Sequence, residues 1–179
     1  CNTPTQVLCA AGVDMAGVST GPAGRPRALD TILLGGGAVA LLDIANAMTF
    51  WALYRGTSPQ RILQSIAVGL LGNDAFTGGA GSALLGAFLH VFIACGIASV
   101  YWAACMFWPG LITRPAPYGM TYGAVVYLVM NQVVLPLSRV GPVPFILPWF
   151  LANFIGHVLL VGPPVAFVAR WSARRQEAR

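Results

Sequence analysis

The chain has 179 residues, 57% hydrophobic and only 8% charged, with a mean hydropathy of +0.73. A soluble domain carries about 25% charged residues, so these few charges cannot cover a water-facing surface, and a soluble globular domain is excluded. The net charge of +5 comes from arginine alone, without lysine. The arginines fall in connectors and tails, the pattern of membrane orientation and lipid headgroups. The lipid bilayer is therefore the expected partner, and nucleic acid is not.

Residues 1–28 mix Pro, Gly, Thr and Ser and hold no apolar run long enough for a signal peptide's core. They read as a flexible N-terminal tail, with Met15 a reasonable start of translation. A lipid on Cys1 is an alternative that would call for a cleaved leader. Of the other cysteines, Cys9 lies in this tail, and Cys95 and Cys105 share one apolar run. Without a CxxC pattern they indicate neither a zinc site nor a redox pair. They read as small buried hydrophobes.

Four segments reach the roughly 20 apolar residues that a spanning helix needs: about Thr31 to Tyr54, Gly81 to Trp108, Tyr118 to Ser138 and Pro148 to Trp171. Together they form the transmembrane domain, residues 29–171, followed by a basic tail, residues 172–179. Pro148 suits a first helical turn, and Gly162, Pro163 and Pro164 should kink the fourth span. Between spans one and two, Ser58-Pro59 reads as a cap followed by proline, and Gly72-Asn73 as a stop. The helix between them, Pro59 to Leu71, is too short to span. Its apolar residues Ile62, Leu63, Ile66, Leu70 and Leu71 lie beside Arg61, Gln64 and Ser65. It reads as interfacial or re-entrant. The fold class is thus all-α, an integral membrane bundle of four transmembrane helices plus this short helix.

Arg25 and Arg27 precede span one, Arg114 lies between spans two and three, and Arg170, Arg174, Arg175 and Arg179 close the chain. The excess of positive charge places both termini on the cytoplasmic side. Arg55 and Arg61 go against that rule and are expected at headgroup level on the outer side. The five tryptophans mostly fall near span ends, as interfacial aromatics do. Small residues at four-residue spacing form two stripes: Gly36, Ala40, Asp43 and Ala47 on span one, and Ser82, Gly86 and His90 on span two. Such stripes let helix backbones approach, so the two spans are expected to meet along them.

The polar residues share a depth. Asp43 lies 12 residues into span one, His90 9 into span two, Asn131 13 into span three and His157 9 into span four. These positions are roughly 14–20 Å from the span starts, in a core about 30 Å thick. Asn46 shares a face with Asp43, Asn153 shares one with His157, and Gln132 adjoins Asn131. A charged side chain at the bilayer centre costs about 2.5–3.5 kcal/mol on insertion scales. Asp43 is therefore expected inside the bundle, protonated or paired, with His90 and His157 its best partners.

The cluster Asp43, His90, His157, Asn131, Asn46 and Asn153 is expected to handle protons or a small solute. The competing reading is a structural or assembly subunit in which the cluster only holds helices in register. A third reading makes the two histidines axial haem ligands on different spans. No HxxxH or HxxE spacing supports a metal site, and no GxSxG supports a nucleophile. No cofactor or catalytic residue is therefore expected, and nothing indicates the oligomeric state. LHVFIACG and IGHVLLVG share His-Val, an apolar pair and a following Gly, which suggests a parallel repeat of two hairpins flanking a midplane site.

The stretches LLDIANAMTFWALYRGTSPQRILQSIAVGLLG, GGAGSALLGAFLHVFIA, YGAVVYLVMNQVVLPLS and GHVLLVGPPVA resemble a widespread group of uncharacterised bacterial inner-membrane proteins of four spans. More distantly, FLHVFIACGIASVYWAACMFWP and LPWF…GHVLLVG look like the YagU-type membrane family. The resemblance implies a bacterial inner-membrane location and four helices, and it implies no reaction or cofactor.

Overall fold

The computed structural model describes residues 24–141 and 144–178. The readings of Cys1, Cys9, Met15 and most of the N-terminal tail, and of Arg179, lie outside these residues. Four helices are long and apolar enough to cross a membrane: α1 (Asp30–Arg55), α3 (Gly79–Phe107), α4 (Pro115–Leu137) and α5 (Leu147–Glu177). The shorter α2 (Pro59–Leu71) lies between α1 and α3, and no strand occurs among the described residues. Even the 23 residues of α4 extend about 35 Å, enough for a hydrocarbon core of about 30 Å. The outward faces stay apolar. Leu53 of α1, Phe88 and Phe92 of α3, Leu128 of α4 and Leu159 of α5 are all exposed, which suits contact with lipid rather than water.

α2 begins and ends where its local chemistry directs. The Ser58 hydroxyl accepts from the Arg61 N–H, Pro59 stands in the first turn, and Gly72 leaves the helix at a positive φ of 67°. Its inner face differs from the expected one. Gln64 is buried, not on the polar side with Arg61. Its side-chain amide donates to the Gly79 carbonyl at 3.0 Å and the Ser82 hydroxyl at 3.3 Å. The start of α3 supplies acceptors that no apolar side chain could satisfy. The far end of α2 reaches the turn that follows α4, where the Arg139 N–H donates to the Gly69 carbonyl at 3.0 Å.

The small-residue stripes are shared out differently from the expectation. Ser82 and Gly86 face α2, not α1, and a Cβ on Gly86 would overlap the Leu63 carbonyl. Of that stripe only His90 reaches α1. α1 meets α3 instead through Gly36, where a Cβ would stand 2.9 Å from Cys95 Cα. The closest backbone approach between long helices joins α4 to α5. A Cβ on Gly162 would lie 2.7 Å from the Gly119 carbonyl carbon, and one on Gly123 would overlap the His157 carbonyl oxygen.

Prolines widen α4 and α5 locally. π-Helical turns cover Met130–Val134, just before Pro136, and His157–Val161, just before Pro163 and Pro164. Proline lacks the N–H for the i−4 carbonyl and crowds it. The expected distortion of the fourth span is taken up in this widened turn.

The bundle is solid in one half and hollow in the other. Val39, Ala98, Tyr101, Val161, Val165 and Ala169 form the solid core, toward the end where the termini gather. There the Tyr101 hydroxyl donates to the Leu111 carbonyl at 3.1 Å and the Tyr122 hydroxyl to the Ile97 carbonyl at 2.6 Å. Residues 172–177 are not a separate tail, because α5 continues to Glu177 and buries Ser172 and Ala173. The Ser172 hydroxyl accepts from the Arg27 N–H at 2.9 Å and donates to the Asp30 carboxylate at 3.0 Å. The Trp102 indole N–H donates to the Pro26 carbonyl at 3.0 Å, so the last residues before α1 are tied down as well.

Candidate functional site

The hollow half contains a cavity of about 580 Å³. α1, α3, α4 and α5 surround it, and α2 crosses it as a wall through Ile62, Ser65, Ile66 and Gly69. Asp43, His90, Asn131, Asn153 and His157 all line it. Five of the six site residues expected from the sequence therefore share one chamber, reached from four different helices.

Their bonds are specific. His157 Nδ1 lies 3.8 Å from the Asp43 carboxylate, with the side chains 11% and 23% exposed. This is ion-pair range but too long for a hydrogen bond. The same nitrogen donates to the Asn153 carbonyl, four residues back, at 2.9 Å, which leaves Nε2 as the acceptor in neutral imidazole. The Tyr127 ring meets the His157 ring edge-on, with centroids 5.5 Å apart. His90 Nε2 donates across the helix interface to the Ala40 carbonyl at 2.9 Å, one turn before Asp43. Among the described residues the histidine within 4.0 Å of the Asp43 carboxylate is His157, not His90. The Asn131 amide donates to the Tyr127 carbonyl at 2.9 Å.

Asn46 departs from the expectation. It does not line the cavity; its Nδ2 is turned toward Gly156, buried, and without a hydrogen-bond partner. The suggested hairpin repeat is not reflected in contacts either. His90 bonds to another helix and His157 to its own. Gly96 faces open space, whereas Gly162 is pressed on α4. For the haem reading, each histidine has already committed one ring nitrogen to a carbonyl, leaving only His90 Nδ1 and His157 Nε2 for a metal. No group of three His, Cys, Asp or Glu side chains gathers among the described residues.

The opposite end of the cavity has a different chemistry. Arg55, Thr57 and Arg61 line it there, beside Trp51, Trp149 and Phe76. The Arg61 guanidinium lies over the Phe76 ring, 4.4 Å from its centroid, and Trp51 packs on Trp149 at 5.2 Å. From the sequence, Arg55 and Arg61 were only exceptions to the charge rule. The available signal was the position of Arg61 one residue before Ile62, at the start of an amphipathic helix.

No family model, no curated protein and no solved structure matches this chain. Its function has to be read from the chemistry of the site.

Proposed function

We propose that this is a multi-pass protein of the bacterial inner membrane, with both termini in the cytoplasm, that handles protons together with a small solute in the cavity. Asp43 is the proton carrier and His157 its direct partner. His90 holds α3 against α1 beside them, and Asn131 and Asn153 complete the polar floor. The observation that carries the reading is the Asp43–His157 contact at 3.8 Å on the wall of a cavity of about 580 Å³. A pair that only held helices together would be expected to close on itself, as Gln64 and Ser82 do. Here a chamber of the size that takes organic ligands stands open beside a carboxylate. The arginines support the orientation: Arg25, Arg27, Arg114, Arg170, Arg174 and Arg175 flank one end of the bundle, against Arg55, Arg61 and Arg139 at the other.

The test is Asp43→Asn, which keeps the side chain's size and removes its titratable group. Vesicles loaded with a pH-sensitive dye should lose protein-dependent proton flux down to the level of empty vesicles, while the variant still folds in detergent. Unchanged flux and unchanged stability would reduce the cluster to a helix contact. Reporter fusions at both termini test the orientation, and a periplasmic signal at either end would reject it.

A further inference from the structure

We infer that the solute is an amphipathic anion: one acidic group on a compact apolar body, with the acidic group held by Arg55 and Arg61. This rests on the reading of the cavity as a solute site. Both arginines line the cavity, and among the described residues no carboxylate lies within 4.0 Å of either guanidinium. Arg61 is held over Phe76, itself a lining residue. Stacking fixes the plane of the guanidinium fork, whose donors match a carboxylate or phosphate two bonds at a time. Less side-chain freedom is then lost when an anion binds.

Beyond the arginines the walls turn apolar. Ile62 and Ile66 of α2, Ile93 and Ile97 of α3, and the paired Trp51 and Trp149 all line the cavity. A sugar would leave most of its hydroxyls unpaired there, an inorganic ion has no use for such walls, and an amine would meet two positive charges at the mouth. An acid with a hydrocarbon or aromatic body satisfies both zones.

Asp43 lies 12 residues before Arg55 on α1, about 18 Å along the axis. A small anion at the arginines is therefore kept from the Asp43 carboxylate. A proton taken up at the floor would offset the anion's charge, so solute and proton together present no net charge to the membrane.

The full chain in nanodiscs of zwitterionic lipid, titrated calorimetrically with octanoate, octanol and octylamine, tests this. Octanoate should bind roughly tenfold more tightly than octanol, as charge-assisted hydrogen bonds would give, and octylamine should bind most weakly. Arg61→Gln should bring octanoate to within about twofold of octanol, and Arg55→Gln gives a second removal of charge at the same end. Ala47→Phe, which fills the chamber, should abolish binding of both. Equal affinities for the three probes, or an anion preference that survives both arginine substitutions, would overturn the inference. Asp43→Asn separates it from the proton reading. Octanoate preference with unaltered proton flux leaves the anion site and removes the proton role; lost flux without octanoate preference does the reverse. Repeating the titration with phosphatidylglycerol in the nanodisc separates the sources of the anion. Displacement of octanoate assigns it to a lipid headgroup, and undisturbed binding assigns it to a free acid.

Discussion

Gly123→Ala tests the contact that sets the height of His157. A Cβ at Gly123 would stand 2.8 Å from the His157 carbonyl carbon and 3.0 Å from Val158 Cα, and would overlap the His157 oxygen. Favourable carbon–carbon separation begins at about 3.5 Å, so the two backbones must part by at least about 0.7 Å. Neither can relax alone, since Gly162 is pressed equally hard on Gly119 one turn away. Overpacking of this kind costs about 1–3 kcal/mol, and the better helix propensity of alanine returns about 1 kcal/mol. A net loss of up to about 2 kcal/mol is expected, up to about 8 °C in Tm for a chain of this size, and about 1–3 kcal/mol relative to an alanine placed in open space. Gly96→Ala is the matched control: it sits in the interior of α3 with nothing within 4 Å of its Cβ position and should leave Tm unchanged or raise it. Thermal unfolding in detergent, followed by a dye that reacts with the buried thiol of Cys105, compares the two. A Gly123→Ala variant as stable as Gly96→Ala would refute the close approach of α4 and α5 and the placement of His157 that depends on it.

Two further outcomes follow from the ends of the bundle. Ser172→Ala strips the Arg27 N–H and the Asp30 carboxylate of a shared, fully buried partner, a loss of about 1–3 kcal/mol. It should speed tryptic cleavage after Arg27, and an unchanged rate would mean the segment is not held by that hydroxyl. In a cysteine-free background, single cysteines at Ile62, Gln64 and Ile66 should be protected from a water-soluble thiol reagent, while those at Arg61 and Ser65 react. Uniform labelling along α2 would show that it does not lie against the bundle.

The long helices were legible because length and apolarity alone set them apart, and α2 because Ser58, Pro59 and Gly72 mark its ends by local chemistry. That Asp43, His90, Asn131 and His157 would come to one chamber was legible from counting along the helices, since the rise per residue is fixed. Pairing was not. Sequence places His90 and His157 alike, but which one reaches Asp43 depends on helix rotation, and His90 is drawn instead to the Ala40 carbonyl. Gln64 misled for a related reason: polarity implies water only when no buried acceptor is near, and the start of α3 provides two. The Gly119-x-x-x-Gly123 spacing was present in the sequence as a close-approach signal, and it brings the α4 backbone against His157.

The prolines join fold to site. Trp149, Asn153, His157 and Val161 of α5 all line the cavity at steps of four residues. In a regular α-helix each such step advances about 40° around the axis, so His157 and Val161 would drift away from the face that carries Trp149. The π-helical turn at His157–Val161 takes up more residues than an α turn because its bonds close at i+5, and it cancels part of that drift. The corresponding turn at Met130–Val134 does the same for the step from Asn131 to Leu135. α1 has no such turn between Val39 and Arg55, and its lining residues Val39, Asp43, Ala47, Trp51 and Arg55 wind around its axis along the length of the chamber. Pro136, Pro163 and Pro164 cost backbone hydrogen bonds in a medium that supplies no replacements. What accompanies them is a local widening at Met130–Val134 and His157–Val161, which keeps Leu135 in line with Asn131 and Val161 in line with His157 on the chamber side.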